Sequence, residues 1–598
     1  MSVYTRYIVL IVIAVTAVLA CTCQAVSAAA DAWRVGVAKT DITPSRPGWM
    51  AGFASRTAPA EGTLHPLWAK ALVFEDPAGQ KLAILTTDLI GLSGEVAEAV
   101  RDRVHARTGI PRESLLINFS HTHCGPWTRG LCDLTYASAA GEHRAAAVEY
   151  TRRLKDKLAD VVQQAARDLQ PSKLAFGRGE ATFAGNRRLR RDNAIINAFN
   201  PDGPVDHGVP VLRVTDGKGR LRAVLFGYAC HNTSLWIQQY NGDYAGFAQI
   251  ALEKAHPQAT AMFMTGCGGD CNPYPRGKVE LSERHGRALA QAVDRVLGRP
   301  LAPVDGALRV AFARVDLPFV APPTLDELLA RRGKGNVYQQ RLTALLLKRL
   351  DDGGSIEKSY PCPLQVVCFG DDLTMIGLSG ETVVDYALRL RQEFPDRRLW
   401  VAGYCNDLFG YLPSRRVLAE GGYEGGDAMV YFGRHGPFQP GVEQRIISTV
   451  KQLVSQCEQA TRSGLAGREK RRTAAENDLM LWYEQPAKKW TEAMPLGNGR
   501  LAAMVYGGTG SERLALNEES LWAGLPVDVY PENFAENVRE VQRLVLAGKI
   551  SEAHKLGLKK LTKEPTSFRS YQPFADLRID FEQSEQIEGY PLQCPTRV

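Results

Sequence analysis

Residues 115–126 read Leu-Leu-Ile-Asn-Phe-Ser-His-Thr-His-Cys-Gly-Pro. The first six are β-prone and mainly apolar, which predicts a strand. The strand gives way at once to His121-Thr122-His123, and Gly125-Pro126 follows as a turn signal. On extended backbone, residues i and i+2 face the same side, so both imidazoles are expected to approach one point.

Working outward, residues 82–87, 223–228, 261–264 and 373–378 repeat the short apolar pattern. Residues 95–108, 145–169, 246–254, 283–297 and 383–394 carry helical periodicity. Apolar strands separated by helices predict an α/β fold with mixed sheets buried on both faces. Its site should lie beyond the carboxyl ends of the strands. Polar groups cluster there. One strand runs into Cys230-His231-Asn232-Thr233-Ser234, another into Gly266-Cys267-Gly268-Gly269-Asp270-Cys271-Asn272-Pro273, and a third into Ser379-Gly380-Glu381. Imidazoles and one carboxylate at strand ends suit zinc, with an open position for a water whose pKa the metal would lower. Two plainer readings stay open here: histidines that are merely hydrogen-bonded, and a glycine-rich loop that cradles phosphate, although it lacks the Lys-Ser/Thr ending of a P-loop.

These motifs belong to a longer ordered series. It begins with Val35-Gly36-Val37-Ala38-Lys39-Thr40-Asp41-Ile42-Thr43-Pro44 and Met50-Ala51-Gly52-Phe53-Ala54. It continues through Asn241-Gly242-Asp243 to Gly380-Glu381-Thr382, Gly410-Tyr411-Leu412-Pro413-Ser414 and Tyr423-Glu424-Gly425. In order and rough spacing, residues 33–460 resemble the neutral/alkaline ceramidases. The resemblance implies Zn2+ held by His121, His231, Glu381 and Tyr411, with Tyr411 supplied by the family alone. It implies that His123 sits beside the ligands or acts on the water, that Tyr423 and Arg187 stabilise a developing oxyanion, and that Asp243 is structural. The implied activity is hydrolysis of the N-acyl amide of ceramide or a related small-molecule or lipid substrate. One departure matters: Asn272 stands where the family carries a serine, and Asn hydrogen-bonds but cannot attack. A catalytically silent exported binding protein is therefore the second reading.

The rest of the chain sets the context. Arg6, the apolar run 7–20 and the small residues around Ala28 and Ala30 predict a signal peptide over residues 1–30 and an exported, periplasmic or extracellular product. Leu19-Ala20-Cys21 loosely fits a lipoprotein site, with peripheral membrane contact or a lipid anchor at Cys21. A net charge of +7 over 598 residues is mild, and no basic stripe points to nucleic acid. Cys362 and Cys368 bracket a short segment; pairing and free thiols both stand. Residues 461–477 read as a linker. Beyond it, Trp490 through Gly499, Asn517-Glu518-Glu519-Ser520-Leu521-Trp522 and Tyr571-Gln572-Pro573 resemble the opening of bacterial α-L-fucosidases. That resemblance implies an incomplete β-sandwich-like module over 478–598, with Asn498, Glu518 and Trp522 on a sugar-facing surface. The expectation is that the sandwich stops short, that 588–598 is an unrelated tail, and that this module has no glycosidase activity by itself. A glycoside hydrolase is the third reading.

Overall fold

Side-chain alternation along the strands decides how the layers stack. In the strand Trp68–Glu75, Ala71 and Val73 enter a core shared with the helices Gly94–Thr108 and Gly141–Arg167, while Leu72 and Phe74 enter the core behind the sheet. Ala83 and Leu85 against Leu82 and Ile84 repeat the split in Lys81–Thr87. Both faces are thus buried, as the apolar runs predict. Helices cover one face and a second sheet covers the other, giving an α-β-β-α stack.

The computed structural model describes residues 33–137, 139, 141–473, 480–483, 485–497, 500–508, 510–518, 521, 531–561, 572–580 and 592–595. Residues 1–30, read from the sequence as a signal peptide, together with Cys21, Asn498 and Trp522, lie outside them. The chain divides into two compact units, Met1–Leu465 and Ala466–Val598.

In the first unit, a nine-stranded sheet is antiparallel through its middle and parallel at both ends. Leu221–Tyr228 runs parallel to Thr260–Thr265 at one end, and Lys81–Thr87 parallel to Leu115–Phe119 at the other. The two edge strands meet through side chains: Asn118 accepts from Thr265 N–H at 2.8 Å, the Thr265 hydroxyl donates to Phe119 O at 2.8 Å, and Asn118 donates on to Gly403 O at 2.8 Å. The second sheet comprises Leu308–Pro318, Ser359–Phe369, Leu373–Leu378 and Leu399–Ala402, the last pair parallel. Helices Asp243–Ala255 and Val279–Leu297 cover the first sheet, and Asp385–Glu393 and Val442–Thr473 the second. The last helix continues through 462–473 of the segment read as a linker. Cys362 and Cys368 are free thiols on one strand, about 20 Å apart at ~3.3 Å per residue, so pairing between them is ruled out. Among the described residues, no helix is long and apolar enough to cross a membrane.

The second unit has an antiparallel sheet, Met494–Gly497, Leu501–Val505, Ser511–Glu518 and Ala575–Asp580 in that order, and two consecutive helices, Phe534–Leu546 and Ile550–Lys560.

Candidate metal centre

His121 and His231 stand where long strands of the first unit give way to loops, and Glu381 and Tyr411 open two short strands. The strand Leu115–Phe119 stops two residues before His121, which adopts φ 61°, the left-handed region that a β-carbon disfavours by ~1–2 kcal/mol. Its N–H donates to Leu89 O at 2.9 Å, and its Nδ1 meets Ile90 O at 2.7 Å. The imidazoles of His121 and His123 do converge, Nε2 to Nε2 at 3.1 Å. They do so through this reversal, because the extended geometry expected from the sequence has already ended.

His231 lies beyond Leu221–Tyr228, with its N–H on Cys271 O at 3.0 Å and its Nδ1 against Gly268 O at 2.7 Å. A β-carbon on Gly268 would come 2.5 Å from Cys230 N, and one on Gly269 2.6 Å from Glu381 O. The glycine-rich loop is therefore glycine so that strand ends can touch, which accounts for it without phosphate. Glu381 and Tyr411 are register partners in a short parallel ladder.

Backbone carbonyls at both Nδ1 atoms assign the protons there, so the Nε2 atoms of His121 and His231 are acceptors. Glu381 Oε2 lies 3.2 Å from the first and 3.0 Å from the second. The Tyr411 hydroxyl is 3.4 Å from His231 Nε2. Burial, then Arg187, pushes His231 down to about 4, which keeps it neutral. Lone pairs facing one another at these separations repel unless a cation joins them. The donor set fits a divalent cation. His123 adds to it: the ligating atoms of His121, His123 and His231 all lie within 4.8 Å of one another.

The cluster opens into a cavity of about 240 Å³ lined by Phe53, His123, Arg187, Asn272, Tyr411 and Tyr423, among others. Arg187 sits on the hairpin Ala184–Arg191/Ala194–Asn200 and is spent three ways. It donates to Glu424 at 2.7 Å, to the Tyr411 hydroxyl at 2.8 Å and to Asn272 Oδ1 at 3.2 Å. Thr233 also donates to Asn272 Oδ1, at 3.2 Å, which turns the Asn272 amide nitrogen away from them; that nitrogen is buried and unpartnered. Tyr423 stands at the rim, 37% exposed, its ring 5.4 Å from that of Tyr411. Asp243 binds Ser234, Leu235 and Tyr244 main-chain N–H groups and so fixes the loop after His231. The eight residues that the sequence assigns to metal binding or catalysis meet in this one region.

Three contributors were not singled out. Glu424 anchors Arg187, Thr233 orients Asn272, and Tyr404, with φ 55°, packs 4.6 Å from the His121 ring. Glu424 and Thr233 stand inside quoted motifs, so a signal existed for them; Tyr404 had none.

Residues 33–281 match the family described as neutral/alkaline non-lysosomal ceramidase, N-terminal, and residues 481–592 match glycosyl hydrolase family 65, N-terminal domain. Both resemblances read from the sequence hold over these residues. Neutral ceramidase 1 of Arabidopsis thaliana is 25% identical over 309 residues, 48% of this chain and 38% of that protein. Alpha-L-fucosidase 2 of the same plant is 38% identical over 108 residues, 18% of this chain and 12% of that protein. The crystal structure of neutral ceramidase from Pseudomonas aeruginosa has the same fold, with a TM-score of 0.55 at 20% identity, covering 83% of this chain and 91% of that one. The matched stretches thus span well under two thirds of the curated relatives' lengths.

Proposed function

We infer that the first unit is a zinc-dependent amide hydrolase that cleaves the N-acyl bond of ceramide or a related N-acyl compound. One observation carries this reading: two imidazole Nε2 acceptors converge on one carboxylate oxygen at the base of a cavity. His121, His231, Glu381 and Tyr411 would hold Zn2+; burial pushes the Tyr411 hydroxyl well above its ordinary range, and Arg187, donating to its oxygen, works in the opposite direction. When bound, the ion supplies carbonyl polarisation and a more acidic water. The chain's own groups do the rest. The amide carbonyl oxygen accepts from the free Asn272 N–H, which strengthens as negative charge develops there. His123 takes one proton of the attacking water and returns it to the leaving nitrogen, so amide and water become carboxylic acid and amine, which then share the remaining acidic proton as carboxylate and ammonium. Tyr423 closes the rim. Asn272 fits water attack and is incompatible with a serine acyl-enzyme. The leader pattern in residues 1–30 supports export, with lipid attachment at Cys21 as the variant form.

The convergence of His123 with His121 and His231 favours a second ligand set of three imidazoles. Metal content separates the two. Glu381→Ala is expected to lose zinc and at least ~10³-fold in amide turnover, whereas His123→Ala is expected to keep zinc and lose turnover. Full zinc and turnover in Glu381→Ala would overturn the reading, and loss of zinc in His123→Ala would favour the three-imidazole set.

A further inference from the structure

The cavity is small for the substrate class inferred above. About 240 Å³ lies below the ~300 Å³ at which drug-sized ligand pockets begin. Any longer aliphatic chain on an N-acyl substrate must therefore leave the cavity and cross its rim.

One part of the rim is built to receive it. Phe53 lines the cavity and packs edge-on to His123, with ring centroids 4.8 Å apart. On its outer side Phe53 stacks with Trp236, centroids 5.1 Å apart and planes 22° from parallel. Trp236 is 65% exposed, a large apolar side chain left in water. It is not loosely placed. Arg56 reaches across the same Phe53 ring at 5.3 Å and donates to His123 O and Ile237 O, each at 3.0 Å. Arg56 thereby ties the histidine loop, the Phe53 ring and the Trp236 loop into one piece. From the proton-transfer group to open solvent, the Phe53 and Trp236 rings form a continuous aromatic face.

We propose that Phe53 and Trp236 form a shelf for the aliphatic chain of the substrate, which runs from the scissile amide over Phe53 and lies against Trp236. The proposal rests on the amide-hydrolase reading. It assigns chain-length preference to two residues outside the metal cluster, through burial of methylenes at ~0.8 kcal/mol for each one fully covered.

The test uses the whole zinc-loaded protein and two series of N-acyl amines. In one, the acyl chain grows from two to sixteen carbons on a fixed short amine; in the other, the amine chain grows on a fixed acetyl group. Trp236→Ala is expected to lower the ratio of long-chain to short-chain kcat/KM about tenfold, through KM, in the series whose chain uses the shelf. Trp236→Phe keeps most of the ratio. An unchanged ratio in both series overturns the shelf. Absence of turnover on every amide by the wild type refutes the hydrolase reading instead. The shelf is then tested by equilibrium dialysis of dodecanoate against acetate, and equal dodecanoate affinity in wild type and Trp236→Ala overturns it.

Discussion

The two units reverse the usual relation between resemblance and substance. The second unit has the higher identity to a relative, 38% against 25% for the first, yet it buries far less of itself. Among its described residues, the buried apolar side chains are Ala493, Met494, Tyr506, Leu544 and Ala553, while Leu546 is 89% exposed and Leu501, Ile550, Leu558 and Leu577 are exposed as well. The first unit closes its strands between helices and a second sheet, and its loops inherit that rigidity. Catalytic geometry needs groups held in place by packed neighbours. Local likeness shows where a segment came from; two-sided burial makes its loop ends usable.

The largest test of this contrast is in the cores. Phe226→Ala, deep in the first unit, is expected to cost about 3–5 kcal/mol, and Leu577→Ala in the second less than ~0.5 kcal/mol, both read from urea midpoints. Equal costs would dissolve the contrast. Next comes chemistry. Asn272→Ala is expected to lower kcat about 10²–10³-fold through the lost donor, while Glu518→Ala leaves amide turnover alone. The smallest effect is a pH slope. Burial, above all, lifts the Asp407 carboxyl from its ordinary value near 3.8 to about 6. The folded state then holds a proton that the unfolded chain releases between pH ~4 and ~6. The contribution of Asp407 to stability therefore falls as pH rises through that window, by on the order of 3 kcal/mol at ~1.4 kcal/mol per unit. Asp407→Asn should remove this contribution and leave that of Asp270, also near 6. Among described residues of the second unit no carboxylate is buried, so the slope belongs to the first unit.

Much of this was legible in the sequence. Residues 373–378 and 283–297 announced their strand and helix, and the polar clusters at strand ends marked the site. Tyr411 came only through resemblance, because a phenol carries no spacing signature for metal. The left-handed turn at His121 was hidden, since it depends on Leu89 and Ile90 carbonyls brought in from the loop after Lys81–Thr87. So was the hairpin bearing Arg187, whose run Arg187-Arg188-Leu189-Arg190-Arg191 lacks apolar alternation although it pairs with Ala194–Asn200. Apolar strands buried on both faces read alike whether parallel or antiparallel, which concealed the antiparallel centre of the large sheet.

The contacts of Gly268 and Gly269 with Cys230 and Glu381 have an evolutionary corollary. A single methyl group at either position would already wedge apart the loops bearing His231 and Glu381. That junction offers no graded variants, only the native width or a broken one. New substrate preferences would therefore have to arise elsewhere, at solvent-facing positions such as Trp236 and Tyr423, where side chains can be exchanged stepwise without disturbing the junction beneath.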